Sequence, residues 1–163
     1  MQLNGLIYTL PKELKLLVGV FVIVLSIGFF TGLLFVSDTS SANPNGIEEQ
    51  YLGNESDEEA VVMKFRKSDK EMLSLVHSHV LSMAIIFFLM GILLSITQLS
   101  KKLKLFLMIE PFLSVILTFG GIYLLWKGIL WMKYIVMISG TLMALTFAFS
   151  IVIILVQLFR KKI

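Results

Sequence analysis

Cysteine is absent from the 163 residues. That excludes disulfides, iron–sulfur clusters, zinc–thiolate sites and thiol nucleophiles. Charge is scarce as well: 15% of residues are Asp, Glu, Lys or Arg, where soluble domains carry about a quarter. So few charges cannot cover a soluble surface of this size, which excludes an ordinary soluble enzyme. Histidine occurs twice. No glycine-rich phosphate loop, G-x-S-x-G elbow or H-E-x-x-H pair is present, so none of the corresponding hydrolase or nucleotide chemistries is suggested. The net charge of +3 comes mostly from lysines flanking apolar runs, which argues against a nucleic-acid partner.

What is present is hydrophobic: 57% of the chain, with a mean hydropathy of +0.90. Four stretches are long enough to cross a bilayer, for which about 20 predominantly apolar residues suffice. Leu16 to Ser37 and Met72 to Ser100 carry no formal charge, Leu105 to Trp126 carries only Glu110, and Tyr134 to Phe159 is uncharged. The expected fold is all-α: an integral membrane four-helix bundle, one transmembrane domain over 1–163. Its helices are expected at about 14–37, 71–99, 104–126 and 132–159, with an extended acidic loop, 38–70, between the first two. The apolar core of the first span is longer than the roughly 7–15 residues of a cleavable signal peptide, so it reads as an uncleaved anchor.

An even number of spans places both termini on one side. Lys12, Lys15, Lys101, Lys102, Lys104, Arg160, Lys161 and Lys162 lie on the side of the termini, against Lys64, Arg66, Lys67, Lys70, Lys127 and Lys133 on the other. Basic residues favour the cytoplasmic side. The expectation is a multi-pass protein of a bacterial cytoplasmic (inner) membrane with both termini cytoplasmic and loop 38–70 extracytoplasmic. Tyr123, Trp126, Trp131 and Tyr134 would mark the outer interface.

Residues 38–71 carry nine acids and four bases. Residues 37–46 read as a flexible linker, and Ala60 to Phe65 as a short strand or docking segment. Ser68 with Glu71 three residues on reads as a capping box starting the second helix. The segment is a solvated connector or a surface for a periplasmic partner. It is too short to bury a core of its own.

His77 and His79 stand at the start of the second helix. Residues two apart on a helix point about 200° apart, so the two rings cannot share one ion. A hairpin turning at Lys101–Lys102 would put residue 79 opposite Leu124, among the interface aromatics. Met72, His79, Met83 and Met90 share a face. Imidazole with thioethers suits copper, with His79, Met72 and Met83 as ligands. Imidazole also suits haem b, with His77, His79 and Met83 as candidates. The alternatives are plain packing and hydrogen bonding, or a role in handling protons or a quinone headgroup.

Glu110 is the one acid inside a span, and an ionisable residue there is a functional candidate. With Ser114 and Thr118 at four-residue steps it could form a proton relay. Pro111 follows at once, however, and proline is preferred at a helix start. The leading expectation is therefore that Pro111 opens the span and Glu110 is a cap near the surface. Packing against Ser95, Thr97 or Gln98 is a third option. Gly28 with Gly32, Gly120 with Gly121, and Gly140 with Ala144 are small residues that allow close helix approach. They are expected to pack within the bundle, the alternative being docking to another subunit.

The run His77-Ser78-His79-Val80-Leu81-Ser82-Met83, followed by Gly91, resembles the H-x-H helix starts of some haem-bearing bacterial membrane proteins. Glu110-Pro111-Phe112 through Phe119-Gly120-Gly121, with Ser139-Gly140 through Leu142-Met143, resembles a group of uncharacterised four-helix bacterial inner-membrane proteins. The second likeness spans most of 72–158 and implies architecture, not chemistry. The first implies a haem, yet no other helix carries the second histidine of a bis-histidine pair. The first functional expectation is a non-enzymatic accessory subunit of a larger membrane assembly, an electron-transfer one with haem b or copper at His77 and His79. The alternatives are a cofactor-free structural or assembly factor, and a small transporter using Glu110. Expected partners are the lipid bilayer, other membrane subunits or a homo-oligomer.

Overall fold

The computed structural model describes residues 3–40, 43–55 and 62–160. They form a helical protein with five α-helices: α1 (Lys12–Ser40), α2 (Pro44–Leu52), α3 (Asp69–Ser95), α4 (Lys101–Trp126) and α5 (Met132–Phe159). A 3-10 turn, Leu6–Thr9, precedes them. No strand is assigned among the described residues. Helices α1, α3, α4 and α5 are each long and apolar enough to cross a membrane. The chain is a helical, multi-pass membrane protein.

The helix ends follow local chemistry. Ser68 accepts from the Glu71 amide, and the Glu71 carboxylate accepts from the Ser68 amide at 2.8 Å. This is the expected capping box, and it starts α3 outside the apolar run. Helix α3 stops at Ser95, and Lys104 closes the turn by donating to the Ser95 and Thr97 carbonyls at 2.9 and 2.6 Å. These are orphan acceptors at a helix C-terminus. Between α4 and α5, Gly128 sits at φ 102°. Its amide donates to Leu125 and that of Ile129 to Leu124, the Schellman pattern that favours glycine at positive φ.

The first and last described residues, Leu3 and Arg160, lie at one end of the bundle, the termini end. The Ile7 amide donates to the Ile96 carbonyl at 3.1 Å, seating the buried Ile7 on the α3–α4 turn. Gln157 near the end of α5 exchanges two hydrogen bonds with the backbone of Gln98. Helices α4 and α5 form the closest pair, with α3 on α4. Helix α1 is attached by a ring cluster: Phe29 stacks on Phe147 of α5 at 3.8 Å, and Phe87 of α3 meets both edge-on at 6.4 and 6.1 Å.

Residues 43–55 and 62–68 are more than a connector. Asn43 caps α2 by accepting from the Gly46 amide, and Pro44 follows at the first helical position. This pair is a helix-start signal that the linker reading of 37–46 overlooked. Helix α2 lies across the other end, the loop end. There Lys133 pairs with Glu48 at 2.6 Å and reaches Asn45. Arg66 donates to the Trp126 carbonyl at 3.0 Å, and the Trp126 indole donates to the Lys67 carbonyl at 2.8 Å. Asn54 brackets the returning chain through Val62 and Lys64. Burial raises the Tyr51 phenol above its ordinary pKa, so it stays uncharged as a packing group. The acids at 57–59, and Ala60 and Val61 of the expected strand, lie outside the described residues. Val62 to Phe65 is not a strand.

Candidate functional site

The α4–α5 contact is built on small residues. A Cβ placed on Gly121 would meet Val136 Cγ2 at 2.9 Å, so a larger residue there would force Val136 or the helix to shift. Thr118 and Ser139 hydroxyls bond across the same interface at 2.8 Å. From the pair 118 with 139 to the pair 121 with 136, one residue number rises by three as the other falls by three, as antiparallel helices require. Extended toward the termini end, that register sets Glu110 level with Phe147, within one turn of Thr146 and Ser150.

Glu110 is 7% exposed and Ser114 2%. The Ser114 hydroxyl donates to Glu110 Oε1. Glu110 Oε2 is buried with no hydrogen-bond partner. A buried polar atom left unsatisfied costs about 1–3 kcal/mol, and such atoms are few in native proteins. No ion pair to Glu110 occurs among the described residues. The stretches of α1, α3 and α5 at its depth carry no Asp, Glu, Lys, Arg or His. The nearest cation along its own helix, Lys104, is held by Asn4, Ser95 and Thr97. Thr146 and Ser150 on α5 are buried too, but bond back to carbonyls of their own helix. The result is a buried polar seam along α4–α5 with one open position, Glu110 Oε2.

This overturns the surface-cap expectation. Helix α4 runs unbroken through Pro111, which is buried inside it. Nine residues precede Glu110 in that helix, or ~13 Å at 1.5 Å per residue, so the carboxyl stands within the span. Proline has no amide to give the Leu107 carbonyl, yet membrane helices tolerate it when packing holds the helix. Ser95 and Gln98, the other expected contacts, are engaged elsewhere, as is Thr97.

The histidine site is more dispersed. His79 Nδ1 lies 2.9 Å from the Leu75 carbonyl oxygen, leaving Nε2 open. Its ring lies 5.0 Å from that of Phe119 on α4. The expected neighbour was Leu124, five residues or ~7.5 Å along the helix toward the loop end. The difference comes from the turn, which is centred near residue 98 because α3 ends at Ser95, not on Lys101–Lys102. His79 thus lies deeper than the Tyr123–Trp126 cluster. His77 is exposed. Met72 is fully buried, and Met83 lines an apolar groove with Phe21, Val24, Gly28 and Phe29 of α1. The structure spreads these residues between the α4 and α1 sides of α3. Among the described residues, no three His, Asp or Glu side chains gather into one cluster. The small residues also divide. Gly121 packs within the bundle as expected, whereas Gly28 and Gly32 of α1 face open space.

Residues 41–163 match the Aq_1264_TM family, a transmembrane helical domain. The chain belongs to this family. The match covers α2 to α5, and hence the whole α4–α5 seam. No curated protein and no solved structure matches the chain.

Proposed function

We propose that this membrane protein handles protons within the bilayer, with Glu110 as the group that takes up and releases them. The reading is that of a small transporter or a coupling subunit of a transport assembly. Ser114 holds one carboxyl oxygen and so fixes where the other points, while Thr118 and Ser139 continue the polar seam toward the loop end. What carries the reading is the carboxyl itself: nine-tenths buried within a span, with Oε2 unpartnered. A carboxyl in that setting is costly, and transport pathways are where such groups are kept. The same proposal sets the termini end in the cytoplasm of a bacterial inner membrane, following the excess of basic residues there.

Dicyclohexylcarbodiimide tests it. This apolar reagent adds the O–H of a protonated carboxyl across an N=C bond, and the adduct rearranges to a stable N-acylurea. In liposomes holding the full chain, Glu110 is expected to be labelled, with a yield that falls as pH rises. Ser114→Ala is expected to change the labelling yield, because it frees Oε1 and no longer fixes the carboxyl's orientation. Glu110 unlabelled at every working pH in liposomes, yet labelled in the unfolded protein, overturns the reading.

A further inference from the structure

A second site lies at the termini end, apart from the seam. A cleft of about 470 Å³ opens between the 3-10 turn, the α3–α4 turn and the end of α5. Tyr8, Gln98 and Arg160 form its polar rim, and Val152, Ile153 and Val156 its apolar wall. Arg160 has no ion pair among the described residues. The Lys15 ammonium reaches the Tyr8 carbonyl at 3.1 Å and adds a second positive charge beside the rim. From the wall, an exposed apolar track continues along α5 through Phe149 and Leu145, away from the termini. The site is therefore cationic and polar where the membrane surface would lie, and apolar along the span.

We propose that this cleft binds one anionic phospholipid. Its phosphate sits at Arg160, within reach of the Tyr8 hydroxyl and the Gln98 amide, and one acyl chain lies along Val152, Ile153 and Val156. Charge complementarity selects an anionic over a zwitterionic headgroup. The apolar wall distinguishes a lipid from a free phosphate, because only a lipid brings an acyl chain that can pack against it by van der Waals contact. The exposed Lys101 and Lys102 at the start of α4 carry comparable charge without a cleft, and so serve as the control for diffuse attraction.

The full chain is reconstituted in phosphatidylcholine nanodiscs containing phosphatidylglycerol, released into mild detergent and examined by native mass spectrometry. One retained phosphatidylglycerol per chain is expected. Arg160→Gln is expected to lower its occupancy about fivefold, the weight of one basic group at an anionic surface. Val152→Trp, which fills the wall from an exposed position, is expected to lower it similarly. The double variant Lys101→Gln with Lys102→Gln, and added inorganic phosphate, are expected to leave it unchanged. Equal retention of phosphatidylcholine, equal loss in the double lysine variant, or displacement by inorganic phosphate would each overturn the proposal. All three variants are at exposed positions, and matched thermal unfolding confirms that each chain is folded.

Discussion

Helices α4 and α1 are both spans, yet they sit in the molecule in opposite ways. In its most apolar stretch 50% of α4 is buried within the protein, against 17% for α1. Helix α1 is the more apolar of the two, so hydropathy does not rank burial. In lipid no hydrophobic force drives helices together, because acyl chains are as apolar as leucine. What distinguishes α4 is its small and polar residues: Ser114, Thr118 and Gly121 on one face, closing on Ser139 and Val136 of α5. Helix α1 has Gly28 and Gly32, but nothing lies within 4 Å of a Cβ there. Its links to α5 and α3 run through the Phe29 ring and, nearer the termini end, through Gly19 against the Phe159 side chain of α5. In this membrane protein the interior is marked by close approach and hydrogen bonding, and the buried carboxyl sits in that interior.

The sharpest way to break the comparison is to put the same side chain on both helices. Gly121→Leu forces a branched chain against Val136 and is expected to cost about 1–3 kcal/mol by overpacking. Gly28→Leu and Gly32→Leu should leave stability within about 0.5 kcal/mol. Thermal unfolding in detergent checks all three. Equal losses at Gly28 and Gly121 would remove the distinction.

Next in size is Glu110→Met. It replaces a half-satisfied carboxyl by an apolar chain and is expected to stabilise the protein by about 1–2 kcal/mol. Glu110→Gln, which keeps polar atoms in place, should gain less. A loss of stability in Glu110→Met would make the carboxyl a structural element instead. At the membrane boundary, Ser68→Ala removes the cap and should cost about 1 kcal/mol. Its signature is local: faster amide exchange in the first turn of α3, with α4 and α5 unchanged. The smallest expected effect is the coupling of Thr118→Val with Ser139→Ala. A double-mutant cycle should give about 0.6 kcal/mol, the usual weight of a hydrogen bond between membrane helices.

Much of the architecture was legible in composition and in runs of uncharged residues, because a bilayer-crossing helix must be long and apolar. The Ser68–Glu71 capping box was legible for the same local reason, since both partners lie within one turn. What the sequence did not reveal depends on register and depth. Taking the hairpin turn a few residues late put His79 beside Leu124 rather than Phe119. Proline's preference for helix starts put Glu110 at a surface, although packing carries α4 straight through Pro111. Asn43-Pro44 carried a readable helix-start signal that the surrounding Ser, Asn and Gly residues obscured. The open oxygen of Glu110 could not be read at all, because it depends on which residues of α5 fail to reach it.

The most direct test of the account is infrared difference spectroscopy of the protein in lipid between two pH values. A carboxyl C=O band that appears on acidification, shifts in heavy water and is missing from Glu110→Gln would show Glu110 exchanging a proton from within the span. The account predicts that band. An identical difference spectrum from the native protein and Glu110→Gln would contradict it.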